Sequence, residues 1–349
     1  MKKPAFGGLF SCFFLVFCAR FGIINHISYF VSRKDVFCMA KLTPDQIKEV
    51  KAQGFLLNRG TELFSGRIVA PGTVFSAQNF ADMAELAGKF GNGKLICTSR
   101  LAVEIPGIPY DRIQEARQFA AERGMRFGGT GAKIRPVTAC KGTTCVFGNF
   151  DTQALAARIH QQYYLGWDGV KLPHKFKIAV GGCPNSCMKP SLNDFGVEGH
   201  RVPAFDRELC KGCKVCQVEK HCPMKAARLS DGKLVIDEAL CKTCGVCTGK
   251  CPFKAVAHDT VTLYQIYVGG TWGKRTRMGT PLSRLVTEEE ILPMLEKTLL
   301  WFRENAYQKE RLGLAIDRIG ADKLEEALFS DDLLARREEI LNKEILQRG

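Results

Sequence analysis

No apolar run in the 349-residue chain matches a membrane-spanning helix, which needs about 20 consecutive apolar residues. The longest candidate, Phe6 to Ala19, stops at Arg20, and a simple polytopic membrane protein is excluded. Neither a P-loop nor a G-x-G-x-x-G fingerprint occurs. The phosphate-cradling backbones of nucleotide sites are therefore missing, and direct reduction by NAD(P)H is not expected. Acidic residues are few beside basic ones, 36 against 50, for a formal net charge of +14. That imbalance points to anionic partners: nucleic acid, acidic lipid, an anionic cofactor or an acidic protein. Nucleic acid is disfavoured, because the basic residues are dispersed and no groove-reading motif is present. With 46% hydrophobic and 25% charged residues, the chain is otherwise globular and long enough for two or three domains.

Residues 1–38 form a doubtful leader. Lys2 and Lys3 precede the apolar run as in a signal peptide, but Cys12, Cys18 and Arg20 make a poor cleavage region. Three readings stand beside one another: translation starting at Met39, where "MAKLTPDQIKEV" opens a helix, a membrane anchor, or export. From Leu42 onward helices and strands alternate. Helices are expected over 44–53, 79–89, 111–123, 152–164 and 288–307, and strands over 66–69, 94–105, 175–180 and 261–268. Residues 322–346 read as a charged helix, either a solvated face or a contact with another chain. Residues 203–258 are short, rich in Cys, Lys and Gly, and look inserted.

Cysteine, in contrast, is abundant: 16 residues, too many for core filler in a chain too large to need disulfide stapling. In the insert Cys210, Cys213 and Cys216 precede Cys222-Pro223, and Cys241, Cys244 and Cys247 precede Cys251-Pro252. The second half matches the bacterial ferredoxin run, in which three close thiolates hold one iron-sulfur cube and the fourth crosses to the other. One [4Fe-4S] cluster is thus expected on Cys210, Cys213, Cys216 and Cys251, and a second on Cys241, Cys244, Cys247 and Cys222. Zinc modules use paired Cys-x-x-Cys units rather than triplets. A further constellation, Cys140-x4-Cys145 and Cys183-Pro-Asn-Ser-Cys187, can supply four thiolates to a third cluster, catalytic or merely structural. A radical-forming Cys-x3-Cys-x2-Cys site does not fit, since Pro190 stands where the third cysteine would be. Cys97 is left as an ordinary buried thiol.

The string "GGCPNSC" after "LPHKFKIAV", with its upstream cysteine pair, resembles the siroheme and [4Fe-4S] domain of nitrite and sulfite reductases. The likeness continues through "ICTSRLAVEIPGI" and "YQIYVGGTWGKRTRMG", over residues 60 to 310. With an in-line ferredoxin insert and one short reductase unit, the arrangement is most similar to the catalytic C subunits of anaerobic sulfite reductases. The resemblance implies an α+β fold, a siroheme sulfite reductase-type half-unit with an inserted ferredoxin-like two-cluster module. Its parts would be a ferredoxin-like half-domain over 39–107, a siroheme/[4Fe-4S] domain over 108–202 and 259–349, and the insert over 203–258. It implies that Cys187 bridges cluster and siroheme, with Cys140, Cys145 and Cys183 as the other ligands. Family members commonly space the first pair by five residues where this chain has four.

The resemblance also places Arg100, Arg135, Lys175 and Lys177 around the substrate. Fixed cations suit a small oxyanion that accepts electrons while losing its oxygens as water, and alternate residues on a strand let Lys175 and Lys177 address one pocket. For the polycarboxylate siroheme the candidates are Lys133, Asn185, Gly270, Thr271, Lys274, Arg275 and Arg277, with Arg67 a weaker one. The implied function is six-electron reduction of sulfite to sulfide, fed through the insert by an electron-donor protein, in a homo- or hetero-oligomer. Nitrite reduction to ammonia and a non-catalytic electron-transfer role are the alternatives. A cytoplasmic setting is expected, with membrane association if residues 1–38 are translated.

Overall fold

The computed structural model describes residues 42–348; the leader, its cysteines and the alternative start at Met39 lie outside the described residues. The helix α1 (Pro44–Ala52) begins at a capping box between Thr43 and Gln46, with Pro44 in its first turn. β1 (Phe55–Leu57), β2 (Phe64–Val69), α2 (Ala77–Phe90), β3 (Ile96–Cys97), β4 (Ala102–Ile108), α3 (Ile113–Glu122) and β5 (Arg126–Phe127) follow. The strands pair antiparallel in the order β1-β2-β4-β3, and β5 extends β1's edge of β2. Phe55, Phe64, Met83, Leu86, Ile105 and Phe119 fill one core, which continues to Phe127, past the boundary expected at 107.

The single strand expected over 94–105 is broken. A turn between Thr98 and Leu101, with Leu101 at φ 53°, parts β3 from β4 and carries Arg100. β4 then runs through Pro106-Gly107 to Ile108, because a register shift opposite Phe64 and Gly66 absorbs an extra residue. Cys97, expected to be buried, is exposed, since β3 lies at the sheet edge.

The second unit contains β6 (Thr138–Ala139), α4 (Thr152–Ile159), β7 (Ile178–Gly181) and β8 (Phe195–Arg201). The expected helix over 152–164 begins as α4 and continues as a π-turn over His160–Leu165. Next come α5 (Gln217–His221), β9 (Ala227–Ser230) and β10 (Lys233–Ile236), all within the insert, and then β11 (Thr262–Val268) and β12 (Thr280–Pro281). The sheet order is β12-β11-β8-β7-β6; β6, β7 and β8 run parallel, and β11 and β12 antiparallel. The insert has its own small core of Val218, Ala227, Leu234, Ala255 and Val256. Its β9–β10 hairpin turns at Asp231-Gly232, both at positive φ.

Helix α6 (Glu288–Asn305) packs across the second sheet and buries Ile291, Leu295, Leu299 and Phe302. The charged helix expected over 322–346 is three pieces, α8 (Ala321–Phe329), α9 (Asp332–Ala335) and α10 (Arg337–Asn342), after α7 (Leu312–Ile319). Leu324, Leu328, Leu333 and Ile340 enter the main core. Arg336 and Arg337 pair with Glu304 and Glu296 of α6 at 2.6 and 2.7 Å, so much of this charge is answered within the fold.

Two glycines test the packing with opposite sign. A Cβ on Gly196 would lie 2.2 Å from the Pro190 carbonyl oxygen, whereas one on Gly88, in α2, meets nothing within 4 Å. Gly196→Ala should therefore lower thermal stability by about 1–3 kcal/mol, and Gly88→Ala should raise it by about 0.5–1 kcal/mol. Melting curves of the two variants check this.

Candidate functional site

The parallel strands β6 and β7 organise two clusters of side chains. At their N-terminal ends Arg67, Arg100, Arg135, Lys175 and Lys177 line one cavity of about 210 Å³ with Gly129 and Pro136. Phe176 is fully buried between the two lysines, and the backbone of Arg135 donates to its carbonyl at 2.7 Å. Arg100 donates to Asn193 Oδ1 (2.9 Å) and to the carbonyls of Pro136 (2.7 Å) and Ile178 (3.1 Å). Arg135 donates to the Gly129 carbonyl. Arg67 donates to Glu104 (2.6 Å) and to the same Gly129 carbonyl (2.9 Å).

The Nε atoms of Arg100 and Arg135 are buried without a partner. Burial and crowding oppose the positive charges: Arg100 and Arg135 are each lowered to about 10, chiefly by burial. Lys177 falls to about 8, through burial first and then Arg100, Arg311 and Lys175. Lys175 is lowered for the same kinds of reason. A bound oxyanion would relieve each of these penalties.

Sequence reasoning missed the support beneath this cavity. Asp194 is fully buried, accepts two bonds from Arg311 Nη2 at 2.8 and 2.9 Å, and accepts the Lys177 backbone N–H at 2.9 Å. The available signal was an acidic residue directly before the apolar strand Phe195–Val197. His174 was missed as well; its Nδ1 accepts the Lys175 N–H at 2.7 Å. Burial, followed by Arg311, Lys175 and Arg135, lowers its pKa to about 4.

A larger cavity of about 610 Å³ meets the basic one at Gly129 and is lined by Arg117, Arg126, Lys133, Tyr164 and Trp167. Its volume is ordinary for a cofactor site, and its cations and aromatic rings suit a flat polycarboxylate. Lys133 and Arg126 share Asp168 at 3.1 and 2.8 Å. Of the other predicted siroheme contacts, Asn185 follows β7 between Cys183 and Cys187 and Arg67 lines the smaller cavity, while Gly270, Thr271, Lys274, Arg275 and Arg277 lie on the loop after β11. There Gly270 permits close approach to the Ser191 and Asn193 backbone, and Arg277 pairs with Asp317 at 2.8 Å. Thr271 donates to the Arg275 carbonyl at 3.2 Å, and Lys274 and Arg275 are exposed.

At the opposite ends of the strands, Cys140 follows β6 and Cys183 follows β7. The four residues of β7 alone separate the groups by roughly 13 Å at the usual strand rise. Burial raises the Cys183 pKa and Cys140, Cys145 and Cys187 raise it further, so the four thiols share one field. The Gly182 N–H donates to Cys140 Sγ at 3.2 Å, and the Asn185 N–H to Cys183. Cys187 is exposed beside Ser186 and Lys189, both at positive φ. Lys189 Nζ stands 5.6 Å from the centre of the Trp272 ring, and Val146, Phe147 and Trp272 are exposed around these turns. Such an apolar surface fits a macrocycle laid against it.

In the insert Cys222, Cys241, Cys244 and Cys247 line one small pocket. Burial and the other three raise Cys247 to about 11. Cys210, Cys216 and Cys251 pack against the insert's core, with Cys213 on the loop between the first two. Among the described residues no three His, Cys, Asp or Glu side chains converge as a single ion would require.

Removing one partner of the buried Arg311–Asp194 pair strands the other charge. Arg311→Gln or Asp194→Asn alone should cost about 3–5 kcal/mol, and the double variant much less than the sum, as a double-mutant cycle in urea will measure.

The profile described as "Nitrite and sulphite reductase 4Fe-4S domain" matches residues 130–334, and that of the "Nitrite/Sulfite reductase ferredoxin-like half domain" matches residues 57–123. The chain is 29% identical over 278 residues to coenzyme F420-dependent sulfite reductase of Methanocaldococcus jannaschii; the match covers 79% of this chain but only 42% of that protein. It is 29% identical to the C subunit of the anaerobic sulfite reductase of Salmonella typhimurium, covering 73% of this chain and 77% of the relative. The fold is similar to the crystal structure of dissimilatory sulfite reductase I, with a TM-score of 0.61 at 23% identity, over 76% of this chain and 69% of that one. It is also similar to NirA of Mycobacterium tuberculosis, with a TM-score of 0.58 at 14% identity, over 88% of this chain and 49% of that one. Since the first of these profiles spans more than half of the chain and takes in β6, β7 and the cysteines that follow them, the protein belongs to the nitrite and sulphite reductase family.

Proposed function

We propose that the chain reduces hydrogen sulfite to hydrosulfide, taking up six electrons and six protons and releasing three waters. The observation that carries this reading is the buried cation cavity with its unpartnered arginine nitrogens. Siroheme and the [4Fe-4S] clusters, when bound, supply the electrons; the rest falls to the side chains. Arg100 and Arg135 hold the oxyanion. Lys177, with a pKa near 8, is charged at neutral pH yet gives up its proton readily, as protonation of departing oxygens requires. Lys175 adds a second ammonium on the same side. The larger cavity, with Lys133 and Arg126 at its rim, would hold the tetrapyrrole. Cys140, Cys145, Cys183 and Cys187 would hold the coupled cluster, and the insert's eight cysteines the other two.

The cations and Cys187 project from opposite ends of the same strands, so one copy's cavity and the same copy's cysteines do not enclose a common centre. A site closed between two copies resolves this, the cysteines of one facing the cavities of the other. Relatives named as subunits, including the beta subunit of dissimilatory-type sulfite reductase, support an assembly.

The visible spectrum of anaerobically purified protein tests the cofactor: siroheme bands are expected, and their absence would return the chain to a pure electron carrier. Turnover of sulfite against nitrite with a reduced viologen separates the two substrates. Lys177→Met should cut sulfite turnover at least tenfold with iron content unchanged, and should abolish a decline in sulfite affinity as pH rises through about 8. That sign follows because the ammonium is lost above its pKa. Co-assembled Lys177→Met and Cys187→Ser copies should regain roughly a quarter of the wild-type turnover, because half of a random two-fold mixture is hybrid, with one intact site each. Hybrids without activity would place the whole site in one chain.

A further inference from the structure

The insert has two unlike ends. One is joined to the body. Arg201, at the end of β8, forms a parallel bridge with Cys244, and its N–H donates to the Thr243 carbonyl at 2.8 Å. His200 Nδ1 and Thr243 Oγ1 lie 2.6 Å apart. Gly245 is so close to the body that a Cβ there would lie 2.7 Å from Asn149 Oδ1. The Asn149 N–H donates to the Gly182 carbonyl at 2.9 Å, and the Gly182 N–H to Cys140 Sγ at 3.2 Å. Hydrogen bonds and packed backbone thus run without a gap from the loop of Cys241, Cys244 and Cys247 to that of Cys140 and Cys183.

The other end is free. Among the described residues, the hydrogen bonds made by 207–216 and 251–254 stay within the insert. Around Cys210, Cys213, Cys216 and Cys251 the surface carries exposed Lys211, Lys214 and Lys254 and the exposed apolar side chains Val215 and Phe253. The insert's ion pair among the described residues is Arg228 with Asp237 at 3.8 Å; none of these three lysines has a carboxylate within reach. Free ammonium groups around apolar side chains are what a negatively charged protein needs in order to be steered and then held.

We infer that the insert is directional. The Cys210, Cys213, Cys216 and Cys251 end takes electrons in, and the Cys222, Cys241, Cys244 and Cys247 end passes them to the body. The outer face around Lys211, Lys214, Val215, Phe253 and Lys254 docks an acidic iron-sulfur protein. Each encounter moves one electron, oxidising the donor by one and reducing the insert by one. This deepens the reductase reading, on which it depends for the electrons' destination but not for the docking.

The experiment uses the full cluster-loaded chain and an acidic two-cluster bacterial ferredoxin as probe. Lys211→Glu/Lys214→Glu/Lys254→Glu should weaken ferredoxin binding at least tenfold by calorimetry at low salt. It should flatten the salt dependence of binding and slow anaerobic bleaching of the insert by reduced ferredoxin, while turnover with reduced methyl viologen is retained. Lys48→Glu/Lys94→Glu, on the first unit, is the control and should change binding little. Equal loss in the control, or unchanged binding in the triple variant, overturns the docking face. Reversing the roles of the ends is tested by Asn149→Ala. It should slow electron passage beyond the insert while ferredoxin still bleaches the insert at the normal rate, and a slowed bleach with normal onward passage would overturn the direction. Absence of sulfite turnover with viologen in the unaltered protein would sink the reductase reading alone, because binding and bleaching do not require it.

Discussion

Five cations are held around one small cavity, with Arg311 behind them, and among the described residues only Glu104 and Asp194 answer them directly. Like charges brought together away from water repel strongly, since the interior screens them far less than solvent does. For Arg100 and Arg135 the fold meets this constraint by tethering rather than neutralising, while Arg67 is paired with Glu104. Arg67, Arg100 and Arg135 all donate to backbone carbonyls, which fixes the guanidinium groups without removing their charge. Asp194 neutralises Arg311 below the cavity instead of a residue lining it. The charge that remains faces the cavity, held in place by the fold itself.

The same tethers explain why the two structural units need each other. Arg100 comes from the turn between β3 and β4 of the first unit, yet its bonds are to Pro136, Ile178 and Asn193 of the second. Arg67 lies on β2 and reaches Gly129 in the segment that joins the units. A break in β3–β4 that looks like an imperfection in the sheet is therefore what delivers an arginine across the boundary between the units.

Much of this was legible in sequence, for reasons that differ by element. The Cys241, Cys244 and Cys247 triplet is read within one loop, whereas Cys222, which lies before β9 and β10, shares their pocket through the crossing that the ferredoxin-like pattern implies. Lys175 and Lys177 were readable from strand alternation, although β7 itself starts only at Ile178. Asp194 and Arg311 were not, because their partnership spans 117 residues and neither sits in a motif. Cys97 looked like core because an edge strand and a central one share an apolar alphabet; the edge is set by pairing, which is non-local. The charged C-terminal segment hid an apolar stripe in three short helices that only packing on α6 reveals.

The position of the insert follows from strand direction. β8 runs parallel to β7 and antiparallel to β11, and Arg201 pairs with Thr262 at the mouth of the β8–β11 connection. A connection of some sixty residues closes there at little extra entropic cost, since loop closure grows only with the logarithm of length, and the sheet register on either side is unbroken. Because β7 and β8 are parallel, that mouth opens at the end where Cys140 and Cys183 emerge, not at the end where the lysines and arginines converge. The direction of one strand thus keeps the insert and the cysteines after β6 and β7 at one end of the sheet and the cation cavity at the other.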